Sequence, residues 1–242
     1  MKERLDKIIV DRGLASSRER ARALIMEGKV FVSGAPVTKA GTMVAPDAPV
    51  EVSGGGIPYV SRGGLKLEAA LKHFNISAAG RTAMDVGAST GGFTDCLLQH
   101  GAIKVYCIDV GYGQLAWKLR QDPRIVVIER ANIRYLEKEK IPDSIELATI
   151  DVSFISLVKV LPKVLEFLQP EGELIALIKP QFEVGKGEVD KGGVIKDAAK
   201  RERAVSQVKE AIQSLGLRII GVIQSPVTGQ KGNIEYLIYM IK

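Results

Sequence analysis

The apolar positions of this chain change their spacing along its length, and the predicted elements follow from that. In residues 3–27, Leu5, Ile8 and Ile9 make one stripe at helical spacing, and Ala21, Leu24 and Ile25 make another, so two short helices are predicted. Gly13 ends the first. Ser16 or Ser17 caps the second, with Glu19 in its first turn, and Gly28 ends it. KVFVSGAPV (29–37) reads as a short strand with a turn at Ser33-Gly34, and VEV (50–52) as a second strand. SGGGIP (53–58) has the composition of a linker.

From Gly63 the pattern alternates. Helical LKLEAALKHF (65–74) precedes strand TAMDV (82–86), helical FTDCLLQH (93–100), and strands VYCIDV (105–110), RIVVIE (124–129) and ELATIDV (146–152). Helical LVKVLPKVLEFL (157–168), strand ELIALIK (173–179), helical AAKRERAVSQVKEAIQSL (198–215) and strands RIIGVIQS (218–225) and EYLIYMI (235–241) complete the series. Strands alternating with helices predict an α/β, doubly wound parallel sheet covered on both faces. The last two strands, joined by SPVTGQKGN, predict an antiparallel edge hairpin. The expected division is a small α+β domain with its linker, 1–58, and a larger α/β domain, 59–242.

Composition changes this picture little. Lys plus Arg number 34 and Asp plus Glu 28, a net charge of +6, which favours a polyanionic partner. Cys96 and Cys107 sit in apolar contexts (TDCLL, VYCID) and read as buried thiols of a reducing compartment, not as a disulfide or metal ligands. The start MKERLDKIIVDRG has charges where a secretory leader needs its apolar core. No apolar run approaches the ~20 residues of a membrane span. A soluble, cytoplasmic protein with no membrane partner is expected, its oligomeric state unread. Trp117 is expected in the core, and His73 and His100, near helix ends, are assigned no chemistry.

The chemistry concentrates in AMDVGASTGG (83–92). A phosphate-binding P-loop needs a lysine after its glycines, and here Phe93-Thr94 follow. A dinucleotide loop needs G-x-G-x-x-G, and here the spacing is Gly87-x-x-x-Gly91-Gly92 with Asp85 ahead of it. An acid there suits a cofactor with a cationic amino-acid tail, such as S-adenosylmethionine; the other reading is a strand-to-helix turn with no ligand. Asp109, closing the next strand, is placed to accept from ribose hydroxyls. Asn132 and Ile133, after the third strand, are candidates for the adenine.

Two resemblances sharpen this. RLDKIIVDRGLASSRERARALIMEGKVFVSG, within residues 3–52, resembles the S4 RNA-binding domain. The remainder, through DVGASTGGFTD and DVSFISL, resembles the FtsJ-like (RrmJ) 2′-O-ribose methyltransferases, and the order of the two with YVSRGGLKL at the junction resembles the TlyA (hemolysin A) family. The resemblance implies a Rossmann-like fold and S-adenosylmethionine as cofactor, with Gly87, Ser89, Thr90, Gly91, Gly92, Phe93 and Asp151 among its contacts. It implies a catalytic tetrad at Lys66, Asp151, Lys179 and Glu235. Ribosomal RNA, free or in subunits, is the implied partner. The family's junction commonly bears a tryptophan, and here Tyr59 stands near that place.

The tetrad suits its task. A ribose hydroxyl is a weak nucleophile and needs a base, which a lysine supplies in its amine form. Lys179 ends an apolar strand and is the expected base; Lys66 and Asp151 tune and orient it, and Glu235 positions Lys66 or the ribose. Asp151 is followed by Val152-Ser153-Phe154 and not by a proline pair, which favours an oxygen target over an exocyclic amine. Arg4, Arg18, Arg20, Arg22, Lys29 and, near the junction, Arg62 are the candidate RNA contacts. The glycine- and lysine-rich 180–197 is expected to close over RNA. An RNA-binding assembly factor with an inactive catalytic domain, and a membrane-lytic toxin, are the competing readings.

Overall fold

The computed structural model describes residues 2–15, 17–52, 58–185, 187–190, 192–229 and 232–242. Ser16, residues 53–57 of the linker-like run, Lys186 and Lys191 of the long loop, and Gln230 and Lys231 of the hairpin turn lie outside the described residues. The chain divides into two compact units, Met1–Pro58 and Tyr59–Lys242.

The first unit comprises β1 (Glu3–Arg4), α1 (Leu5–Asp11), α2 (Arg18–Met26), β2 (Val30–Val32), β3 (Ala35–Val37), β4 (Met43–Val44) and β5 (Val50–Val52). The two apolar stripes meet: Leu5, Ile8 and Ile9 pack with Ala21, Leu24, Ile25, Val30 and Val44. Ser17 Oγ accepts from Arg20 N at 3.2 Å and caps α2. β2 is the middle strand of β3-β2-β5, with Ser33 and Gly34 turning at φ 51° and 80°. Residues 3–4 form a strand pairing with β4, so the first helix begins two residues later than the pattern predicts.

The second unit comprises α3 (Gly63–Phe74), β6 (Thr82–Val86), α4 (Gly92–Gln99), β7 (Lys104–Ile108), α5 (Trp117–Arg120), β8 (Ile125–Ile128), β9 (Ile145–Ile150), α6 (Leu161–Phe167), β10 (Leu168–Ile178), α7 (Pro180–Glu183), α8 (Ala198–Ser214), β11 (Arg218–Gln224) and β12 (Tyr236–Ile241). They form a seven-stranded sheet in the order β11-β12-β10-β9-β6-β7-β8. Its pairings from β10 to β8 are parallel, and β12 runs antiparallel to both β10 and β11. The hairpin is therefore at one edge, with its reversed strand one place in. β6 has β7 on one side and β9 on the other, so the chain reverses its winding there and leaves a crevice at their carboxyl ends.

Two expectations need correcting. The helix expected over 157–168 is a 3-10 turn, Leu157–Lys159, followed by α6, because Pro162 has no N–H to continue a helical ladder and sits where a helix begins. Trp117 is not core: it opens α5 and is 75% exposed, while Leu115 and Leu119 on either side of it take the buried positions.

Candidate active site

The loop after β6 forms one wall of the site. Gly87 has φ 85°, and a Cβ on it would lie 2.4 Å from the backbone oxygen of Asp151, so only glycine lets the two strand ends approach. A Cβ on Gly92 would lie 2.2 Å from Ser61 Oγ and 2.9 Å from Gly64 N, so α4 and the start of α3 are in close contact. Tyr59 is buried against Gly64, where a side chain would strike its ring. Val60 N donates to Asp95 Oδ2 at 2.8 Å, and Lys118 pairs with the same carboxylate at 2.9 Å.

Beneath the loop lies Asp85, fully buried. Its Oδ2 accepts from Thr94 N (3.0 Å) and Thr94 Oγ1 (2.7 Å), and its Oδ1 accepts from Thr149 Oγ1 (3.1 Å). Burial outweighs those hydrogen bonds and pushes the carboxyl up to about 7.

The four residues of the implied tetrad line one cavity of about 550 Å³ and form two ion pairs. Lys179 Nζ, at the end of β10, is 2.6 Å from Asp151 Oδ1 and donates to Ser153 Oγ at 2.9 Å. Lys66 Nζ, from α3, donates to Glu235 Oε2 at 2.6 Å. Lys66, Lys179 and Glu235 are buried, with 8%, 8% and 3% of their surface exposed. In such surroundings an unpaired charge is costly, which is why each ammonium faces a carboxylate. Lys66 therefore meets Glu235, and among the described residues no hydrogen bond joins it to Lys179.

Gly87, Ala88, Ser89, Thr90, Gly92 and Phe93 line the same cavity, with Arg62 at its edge. Gly91 turns away at φ 95° against Leu115 and Leu119. With Gly91, five expected cofactor residues are not among those that line this cavity, the others being Asp85, Asp109, Asn132 and Ile133. Asp85 accepts from Thr94 and Thr149 beneath the loop. Asp109 accepts from Ser89 N and Gly111 N, each at 2.7 Å, and so ties the loop to the next strand end. Asn132 accepts from Arg134 N at 3.2 Å and caps the turn Ile133–Tyr135, and Ile133 packs into the core. Short polar side chains after strands serve backbone N–H groups as readily as ligands, and spacing alone does not separate the two.

Other cavity residues escaped the pattern. Ser153 is signalled only by its place two residues after Asp151. Phe154, 87% exposed and at φ 63°, faces Phe182 with ring centroids 5.1 Å apart, and the Lys179 ammonium lies 6.0 Å from the Phe182 ring centre. Glu183, pushed up by burial, accepts from Ser156 Oγ (2.6 Å) and Leu157 N (2.8 Å), fastening α7 to the turn that carries Phe154. Asn233 is buried: its Nδ2 donates to Gly193 O at 2.8 Å and its Oδ1 accepts from Ile195 N at 3.1 Å. These bonds tie the far end of the long loop to the hairpin that carries Glu235.

In the first unit, Arg4, Arg18 and Arg22 converge on Asp6, which is fully buried. Their distances to its Oδ2 are 3.0, 3.3 and 3.1 Å, and each arginine side chain stays about half exposed. Arg20 lies on the same helix without joining that cluster, and Lys29 pairs with Glu27 at 2.8 Å.

Comparison with known proteins places both units. The FtsJ-like methyltransferase family matches residues 59–242, and the S4 domain matches residues 3–50. The 16S/23S rRNA (cytidine-2′-O)-methyltransferase TlyA of Mycobacterium tuberculosis is 47% identical over 238 residues, 98% of this chain and 89% of that protein. Hemolysin A of Brachyspira hyodysenteriae is 44% identical over 239 residues, 98% and 99% of the two chains. A solved structure from Streptococcus thermophilus, carrying a hemolysin name, covers 100% of this chain and 88% of its own at TM-score 0.79 and 40% identity. An S-adenosylmethionine-dependent methyltransferase from Mesorhizobium loti shares the fold of the second unit at TM-score 0.53 and 18% identity, covering 72% of this chain and 96% of its own.

Proposed function

The chain belongs to the FtsJ-like methyltransferase family, with an S4 domain ahead of the catalytic unit, and we propose that it methylates the 2′-hydroxyl of cytidine in ribosomal RNA using S-adenosylmethionine. The observation that carries this is the convergence of two lysine–carboxylate pairs, with Lys66, Glu235 and Lys179 buried and Asp151 partly exposed, on the cavity walled by the glycine loop. Relatives at 47% identity, over nearly the whole chain, are named for the same reaction.

The site fits the cofactor. Gly87, Ala88, Ser89, Thr90 and Gly92 line the cavity together with Asp151, so the loop borders the space a ligand would enter, while Gly87 and Gly92 let it pack closely on Asp151 and Ser61. When bound, S-adenosylmethionine supplies a methyl group made electrophilic by a sulfonium. The chain's residues then have to place and deprotonate the acceptor. Lys179, in its amine form, takes the proton of the 2′-hydroxyl. Asp151 and Ser153 lie 2.6 and 2.9 Å from its nitrogen and hold it at the wall of the cavity. Glu235 holds Lys66 from the hairpin side, and the Lys66 ammonium steadies the ribose oxygen. The arginines of the first unit bind phosphates, and a ribosomal substrate places the working protein in the cytoplasm.

The test is transfer of tritium from labelled S-adenosylmethionine to ribosomal RNA or subunits from cells lacking the protein. Wild type labels a cytidine ribose; Lys179→Ala lowers the rate by about 10²-fold or more, on the order of what a positioned base supplies, while retaining cofactor binding. Normal turnover by Lys179→Ala removes it as the base. Cofactor and RNA binding without transfer by wild type favours the assembly-factor reading. As for the hemolysin names, no helix among the described residues is long and apolar enough to cross a membrane.

A further inference from the structure

The carboxyl ends of β7 and β8 carry an aromatic and cationic surface that the reaction as described leaves unused. After β7 the chain exposes Val110, Tyr112 and Trp117; Tyr112 is 68% exposed. After β8 it presents Arg130, Arg134 and an exposed Tyr135. The Arg130 guanidinium lies over the Tyr112 ring at 4.2 Å, and Arg134 lies over Tyr135 at 5.1 Å. Arg130 N donates to Gly111 O at 3.0 Å, which joins the two segments into one surface.

The charges in this stretch are used unequally. Lys118, Arg120 and Arg124 each meet a carboxylate, on Asp95, Glu129 and Asp122. Among the described residues no carboxylate lies in ion-pair range of Arg130 or Arg134. The nearby acids are committed elsewhere: Glu129 accepts from Arg120 and Gly113 N, and Asp109 from Ser89 N and Gly111 N. Arg130 also holds a backbone φ of 54°, a region that favours glycine.

We propose that Tyr112, Arg130, Arg134 and Tyr135 form a second RNA-contacting surface, on the methyltransferase unit itself. Guanidinium groups that face no carboxylate meet phosphates, and flat side chains left open to water stack on unpaired bases. A partner that is both anionic and aromatic satisfies both features, and folded RNA is such a partner. The inference rests on the reading that the substrate is RNA.

The test uses the full chain and extracted ribosomal RNA, with the binding constant measured against salt concentration. Arg130→Ala/Arg134→Ala is expected to bind several-fold more weakly, with the slope of log K against log salt shallower by about two, one for each phosphate no longer neutralised. Tyr112→Ala weakens binding without changing the slope. Arg134→Glu, which keeps a long side chain, weakens binding beyond Arg134→Ala. S-adenosylmethionine affinity, by calorimetry, stays within about two-fold throughout. An unchanged slope in the double variant overturns the proposal. So does loss of cofactor affinity in Tyr112→Ala with RNA binding intact, which makes the surface a cover for the adenosine. Loss of binding to ribosomal subunits alone, with extracted RNA bound normally, assigns it to a protein partner and also overturns it. If wild type binds RNA with the expected slope but transfers no methyl group, the reaction fails and this surface stands.

Discussion

Asp6 and Asp85 are both fully buried carboxylates, and their neighbours push them in opposite directions. Asp6 is held well below the usual carboxylate range, first by the Arg4 guanidinium and then by Arg22 and Arg18. A depressed folded value means stability that is present above about pH 4 and lost as pH falls. Asp6→Asn is expected to destabilise the first unit by about 1–3 kcal/mol, read by thermal unfolding. It also weakens ribosomal RNA binding although the net positive charge rises by one. Tighter binding instead shows that Asp6 only subtracts charge and does not position the arginines. Asp85 is pushed up, from 3.8 to about 7. Between those values the folded state holds more protons than the unfolded, so stability falls as pH rises from about 4 to about 7 and then levels. The fall is expected to be on the order of 4 kcal/mol. Asp85→Asn removes this slope, and unfolding curves at pH 5 and pH 8 read it; a slope retained in the variant places its origin elsewhere.

Among the elements, the short ones shape the site. α7 has only four residues, yet Glu183 fastens it to the turn after β9 through Ser156 and Leu157. Glu183→Ala leaves both donors without their acceptor and frees the turn that holds Phe154 at φ 63°. The expected result is a KM for RNA raised about 5- to 10-fold with cofactor affinity unchanged, on the order of one lost charged hydrogen bond. Steady-state kinetics with each substrate varied in turn check it; a rise in the cofactor KM alone overturns it. The longer elements were legible because their apolar period extends over several turns or a full strand, as in α3, α8, β6, β7, β9, β11 and β12; of β10, Leu168–Ile178, only the apolar run from Glu173 was read as strand, since residues 168–172 (LQPEG) carry no alternation. β1 and β4, of two residues each, carry no period to read. α5 and α7, at four residues, fall below the length at which helical spacing shows itself.

At the scale of the molecule, the two units divide the labour. Residues 59–242 contain every residue that lines the cavity, and the arginine cluster on Asp6 lies in residues 1–58. A truncated protein of residues 59–242 is expected to bind S-adenosylmethionine within a few-fold of the full chain. Its RNA affinity is lowered by about tenfold or more, with a shallower salt dependence. Calorimetry for the cofactor and filter binding for RNA check the two arms; full RNA affinity in the truncated protein removes the first unit from recognition.

The sequence by itself determined the period of each long element and the glycine loop, and its resemblance to a known family named the four positions expected for the tetrad. Those are local: side-chain spacing sets which face is apolar, and a motif names its own residues. Only the tertiary structure decided the pairing of Lys66 with Glu235, 169 positions apart, and of Lys179 with Asp151. It also turned Asp85, Asp109 and Asn132 toward backbone and hydroxyl donors and Trp117 toward water. Whether a polar side chain serves the fold or a ligand depends on which donors the folded chain brings within about 3 Å of it, and spacing along the chain does not encode that distance.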